Sequence, residues 1–276
     1  MTSIYTAPVY KLKELNNIFI ELTAKNCNQR CKNCYIDLPV SLKPVKDFLS
    51  IDLIKQALID TKSENLHCIY LTGAEPMTHP DFNTILRFCL KRCNVCICTN
   101  GSFLNEKKIR FLNKVESEGN NQIFFKLSLT HFDELENDKI KYRGHYRQTI
   151  FALKTLSRYN FTSVLTLQNF YKLNEKNLIE NFKQIFKEQD IFNTELQITK
   201  SHPDFEDENF AKHSQKTDCM HGRTLTSNGV YACPFLSNDY RGRVGSSFKN
   251  YSQNITAETD FCATCSKNNN FIFTIG

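Results

Sequence analysis

The chain has 276 residues, 41% hydrophobic and 23% charged, with a net charge of +6. That length can bury a sizeable core, as one large domain or as a domain with a small appendage. The charge is mild and both signs are mixed along the chain, so no basic arm for nucleic acid stands out. No run is long and apolar enough for a membrane span or a signal peptide. A cytoplasmic setting, where thiols stay reduced, is therefore the expectation. In that setting the twelve cysteines are read as ligands wherever their spacing suits, not as disulfides.

Between about residues 17 and 200, short β-like runs alternate with helical patterns. Residues 18–22 (IFIEL) read as a strand, and Ser50 caps a helix carrying Ile51, Ile54 and Leu58. Strands at 68–73, 95–101, 123–130, 163–170 and 194–200 follow. Helices separate them: one opened by Pro80, one from Asn105, one over 146–157 after a polar loop, and one from Asn174. This alternation predicts an α/β fold, a partial (β/α)6 barrel of parallel strands with right-handed crossovers. Function in such sheets collects at the C-terminal strand ends. The expected division is a barrel domain over 1–200, a polar linker over 201–218, and a small irregular cluster-binding domain over 219–276.

Seven cysteines fall into two ligand-like groups. Cys27, Cys31 and Cys34 form C-x3-C-x2-C in the loop after the first strand. Three thiolates on one loop can hold three irons of a cubane and leave the fourth open, although spacing alone also allows zinc. Cys89, Cys93 and Cys96 repeat the spacing, but they lie on a helix and a strand. With Cys68 and Cys98 they read as small buried hydrophobes, away from the active rim. The second group is Cys219, Cys233, Cys262 and Cys265. Asn228-Gly229 makes a hairpin between the first two, and the late C-x2-C completes a four-thiolate cage for zinc or a [4Fe–4S] cluster. His221 and Arg223 lie beside it and read as a surface histidine and a solvated arginine.

The cysteine loop is followed by Gly73-Ala74-Glu75-Pro76, by Thr99-Asn100-Gly101 and by LSLT ending at Thr130, each at a strand end. In this order the segments resemble those of the radical S-adenosylmethionine (SAM) superfamily. The resemblance implies a SAM-binding [4Fe–4S] cluster on Cys27, Cys31 and Cys34. It also implies contacts to SAM from Gly73, Ala74, Glu75, Pro76 and Asn100, from Ser128 toward the ribose and from Arg143 toward the carboxylate. Asn33 stands where relatives carry an adenine-packing aromatic, and Tyr35, just past Cys34, is expected to take that part; Thr130 replaces a common Asp. The C-terminal cysteines are similar to twitch and SPASM domains, which favours an auxiliary [4Fe–4S] cluster over zinc.

The implied chemistry is one-electron reduction of SAM to a 5′-deoxyadenosyl radical that takes hydrogen from substrate. An electron donor such as flavodoxin or ferredoxin is implied with it. The leading expectation is an oxidoreductase-type step or rearrangement on a small molecule, and the alternative is maturation of a peptide. Only about 16 residues precede the first expected strand, so an N-terminal peptide-binding module is not expected within this sequence, although a separate partner could supply one. An RNA-modifying enzyme is weakened by the modest charge. A non-catalytic cluster or zinc protein would explain the cysteines, but not Glu75, Asn100 and Arg143 at successive strand ends.

Overall fold

The six strands and five intervening helices expected from the sequence all form, with their ends shifted by a few residues. The structure, a computed structural model, describes residues 9–36, 38–39, 43, 47–199, 218–219 and 221–256. A short strand β1 (Val9–Leu12) leads into β2 (Asn17–Glu21) and helix α1 (Ile51–Asp60). Then come β3 (Cys68–Thr72), α2 (Phe82–Leu90), β4 (Asn94–Cys98) and α3 (Glu106–Ser117). Strand β5 (Ile123–Leu129) is followed by two helices, α4 (Glu134–Ile140) and α5 (His145–Arg158). The series ends with β6 (Ser163–Gln168), α6 (Glu175–Glu188) and β7 (Thr194–Thr199). Side-chain caps start the helices where short polar residues stand: Ser50 accepts from the Asp52 N–H, Asn105 from Lys108 and Asn174 from Asn177.

Strands β2 to β7 pair in parallel, in sequence order. The sheet stays open, as a partial barrel should. Its outer face (Ile18, Ile20, Ile69, Leu71, Val95, Ile97) joins the helices in the main apolar core. Its inner face starts apolar, with Phe19, Cys68, Tyr70 and Cys96 in a second cluster. With both faces covered, β3 is buried along its whole length, the continuous apolar run expected of a central parallel strand.

The chain beyond residue 218 does something the sequence did not suggest. Strand β9 (Arg223–Thr226) pairs in parallel with β2, and β10 (Gly229–Tyr231) returns antiparallel to it. Strands β11 (Arg243–Ser247) and β12 (Asn250–Tyr251) complete a ten-stranded sheet. So strands β9 to β12 continue the barrel sheet on its β2 side. A small second sheet orders β13 (Asn254–Thr256), β1 and β8 (Asp218–Cys219).

The expected hairpin is present, with Ser227 and Asn228 in the turn and Gly229 opening β10. Gly229 has φ +122°, and a Cβ there would stand 2.5 Å from the Gly245 carbonyl oxygen, so only glycine fits. Arg223 is not solvated but fully buried. Its guanidinium donates to the Gly222 carbonyl at 2.9 Å and to the Gln253 carbonyl, and reaches Cys219 Sγ at 3.9 Å. It ties β8, β9 and the turn before β13 together. Of the linker expected over 201–218, residues 201–217 lie outside the described residues, as do Cys262 and Cys265, while Asp218 belongs to β8. Among the described residues no helix is long and apolar enough to cross a membrane.

Candidate active site at the C-terminal strand ends

The loop after β2 is held by its own polar residues. The Thr23 hydroxyl accepts from the N–H groups of Lys25 and Asn26, and Asp47 accepts from the Ala24 N–H at 2.9 Å. The loop is also stitched to the segment after β3. The Ala74 N–H donates to the Thr23 carbonyl at 2.8 Å, and the Glu75 N–H to the Asn26 carbonyl at 3.0 Å. Gly73 allows this approach: at φ +114°, a Cβ would lie 2.3 Å from the Thr23 oxygen.

Cys27, Cys31 and Cys34 open onto one cavity of about 170 Å³, whose wall includes Gly73, Ala74, Asn100, Ser128, Lys141 and Tyr35. Burial raises all three thiols, Cys27 to about 12. They would therefore give up their protons on binding a metal, not before. Among the described residues no three Cys, His, Asp or Glu side chains converge tightly enough to hold a single ion. A lone zinc would draw its thiolates in to about 2.3 Å each. A cubane, with each iron on its own thiolate, needs them spread around a space. Three thiols facing a shared cavity fit the second demand.

Glu75 is fully buried. Its carboxylate accepts from the Thr99 hydroxyl at 2.9 and 3.0 Å, from the Asn100 N–H at 2.9 Å and from the Met77 N–H at 3.1 Å. Burial pushes it up to about 7, against the pull of these donors. Glu75 thus fastens the Thr-Asn-Gly turn to the loop that begins the 3-10 helix Pro76–Thr78. It does not form part of the cavity wall, and neither does Pro76, which is buried in that helix. Asn100 does, and its amide donates to Asn28 Oδ1 at 3.0 Å and to Cys27 Sγ at 3.7 Å. Hydrogen bonds to cluster sulfurs are one lever on redox potential.

Arg143 is exposed and outside the cavity wall. Among the described residues two cations stand in the wall, Lys126 on β5 and, at the end of α4 two residues before Arg143, Lys141, which sequence reasoning missed. Its ammonium donates to Ser128 Oγ at 3.1 Å and to Gln168 Oε1 at 2.7 Å. Burial lowers its pKa, while the Cys31 and Cys34 thiols oppose that shift. The cysteine loop is pinned to the same spot, with the Lys32 N–H on the Ile140 carbonyl at 2.8 Å and the Asn33 amide on Gln168 at 2.6 Å. Thr130 stands buried behind the site, its hydroxyl and N–H donating to Asn137 Oδ1.

Two further wall residues carry corrections. Cys98 ends β4 and lines the cavity, so unlike Cys89, Cys93 and Cys96 it is not a hydrophobe remote from the rim. Alternation along β4 puts it on the same face as Cys96, and the strand's end at Cys98 puts it at the active edge. Phe235, in the 3-10 helix after Cys233, also lines the cavity and meets Tyr35 edge-on with ring centroids 4.8 Å apart. The C-terminal segment therefore supplies part of the wall, a nonlocal contact with no sequence signal.

His145, the first residue of α5, is buried in the wall beside Lys141, and burial pushes it down to about 3. It stays neutral in the folded chain, whereas in the unfolded chain it takes a proton below its ordinary value near 6.5. Its contribution to stability is therefore complete above about 6.5 and is lost as pH falls toward about 3, at roughly 1.4 kcal/mol per pH unit. Urea unfolding near pH 7 and near pH 4.5 should show wild type losing about 2–3 kcal/mol more than His145→Gln. Equal losses would contradict a buried, neutral His145.

The profile of the radical SAM superfamily matches residues 22–185. No curated protein matches the chain. Solved structures with the same fold include the Streptococcus suis protein SuiB bound to S-adenosylmethionine (13% identity, TM-score 0.62). That match covers 86% of this chain, which spans 64% of the SuiB chain. Another is anSMEcpe with bound AdoMet, at 14% identity and a TM-score of 0.62, covering 89% of this chain and 81% of that one. At such identities the likeness is one of fold, and it agrees with the open parallel sheet. The profile match spans more than half of the sequence, and on it the chain belongs to the radical SAM superfamily, enzymes that use a [4Fe–4S] cluster and SAM for radical chemistry.

Proposed function

We propose that this chain cleaves SAM reductively and uses the resulting 5′-deoxyadenosyl radical to abstract hydrogen from a small-molecule substrate, in an oxidation or a rearrangement. The observation that carries the reading is the convergence of Cys27, Cys31 and Cys34 with Gly73, Ala74, Asn100, Ser128 and Lys141 on one cavity. A cluster on the three thiolates would supply the electron, drawn from a donor such as flavodoxin or ferredoxin. The chain's own residues do the rest. Lys141 offers an ammonium to the SAM carboxylate, the part first expected of Arg143. Ser128 and the backbone of Gly73 and Ala74 offer polar contacts at the same edge. Glu75 holds Asn100 and the 73–75 turn in register. Tyr35 and Phe235 give an aromatic wall against which a nucleoside base can pack.

Cys219, Cys233, Cys262 and Cys265 are proposed to hold an auxiliary [4Fe–4S] cluster. In support, Cys233 is two residues from Phe235, so a cluster on it would adjoin the SAM cavity and could accept an electron from substrate. The reconstituted Cys233→Ala protein should carry about four irons where wild type carries about eight, and should still form some 5′-deoxyadenosine without coupled turnover. Unchanged iron in the variant would remove Cys233 from any cluster.

A further inference from the structure

The inner face of β4 to β7 turns polar toward the cavity, and the SAM reading uses only part of it. Lys126 on β5 stands directly opposite Cys98 on β4 and is 7% exposed. Its ammonium reaches across β6 to donate to Gln197 Oε1 on β7 at 2.8 Å. Between them on β6, Thr166 is 4% exposed, lines the same cavity, and its hydroxyl has no hydrogen-bond partner among the described residues. A buried hydroxyl in that state lacks the bond that its removal from water requires. Among the described residues no carboxylate lines this cavity. Glu195, whose charge reaches Lys126, is exposed at the open edge of the sheet.

We propose that Lys126, Thr166 and Gln197 form a carboxylate-binding subsite, so that the substrate of the proposed radical reaction is a carboxylic acid. The inference rests on that reading for the word substrate, but the subsite stands on its own geometry. The ammonium and the hydroxyl are two donors on neighbouring strands, matching the two oxygens of one carboxylate. Gln197 fixes the ammonium. Lys141 is the separate cation at the cysteine loop, engaged by Ser128 and Gln168.

Cys98, across from Lys126, provides a reporter that needs no SAM cleavage. Iodoacetate and iodoacetamide both alkylate a thiolate, and they differ in whether they carry a carboxylate. Their rate ratio at Cys98 therefore cancels the thiol's own ionisation. In the cluster-loaded holoenzyme, peptide mass spectrometry should show a ratio about tenfold above that of the same cysteine in urea. Lys126→Met should return the ratio to the urea value, Lys126→Arg should keep it, and Thr166→Val should lower it without abolishing it. In wild type, propionate should slow iodoacetamide at Cys98 and propionamide should not, an answer that holds even if Lys126→Met fails to fold. An unchanged ratio in Lys126→Met, no protection by propionate, or a Cys98 that neither reagent reaches would each overturn the subsite. A working subsite in a protein that leaves SAM intact would instead separate its success from failure of the radical SAM reading.

Discussion

Replacing Cys31 with alanine should lower 5′-deoxyadenosine formation at least a hundredfold, to assay background. Even the residues that merely orient metal ligands change affinity or activity by about 10- to 100-fold when removed, and a ligand itself sets the floor below that. Cys31 has no role in the apolar core and faces the cavity, so its loss should leave the fold intact. The β2–β3 connection is held by Thr23, Asn26, Ala74 and Glu75, none of which touches the Cys31 sulfur. Iron should fall by about half, with the remainder on the C-terminal cysteines. Retained deoxyadenosine formation in this variant, with full iron, would contradict a SAM-binding cluster on this loop.

The second large effect is expected at Lys141, and it separates that residue from Arg143, the position to which the resemblance assigned the SAM carboxylate. Lys141→Met should weaken SAM binding by about 10- to 100-fold, the range of a lost charge-assisted hydrogen bond of about 1.5–3 kcal/mol. Iron loading should be unaffected, and Lys141→Arg should recover part of the affinity. Arg143→Ala should change SAM binding less than about twofold, as for a solvated surface charge. Equilibrium binding of SAM to the oxidised, cluster-loaded protein measures both. A larger effect at Arg143 than at Lys141 would mean that the helix α4 end rearranges around SAM, and would remove Lys141 from the proposed role.

The contrast shows where sequence patterning carries information and where it stops. The strands β2 to β6 were legible because both faces of a central parallel strand are buried, leaving short, dense apolar runs between helices with a single apolar stripe, and β7 at the sheet edge showed through its alternation of Leu196 and Ile198 with polar residues. Helix caps at Ser50, Asn105 and Asn174 located three helix starts within a residue. Helix α4 was missed as a polar loop because it buries only Asn137 and Ile140, and one aliphatic side chain makes no periodic signal. That same miss hid Lys141, whose position depends on where α4 ends.

The joining of β9 to β2 was illegible for another reason. About two hundred residues separate the partners, and neither strand's composition names the other. Hence Phe235 could not be foreseen in the cavity, and Arg223 read as solvated although the neighbouring turns bury it. Cys98 was recoverable in principle. Its parity with Cys96 was plain, and only the position of the strand end decided whether it reached the rim.

The most direct test of the central proposal is the reduced, anaerobically reconstituted wild-type protein incubated with SAM and analysed for 5′-deoxyadenosine. Formation of 5′-deoxyadenosine and methionine, with about eight irons per chain, is the predicted result. Intact SAM under thorough reduction, with few irons or with bound zinc, would contradict it.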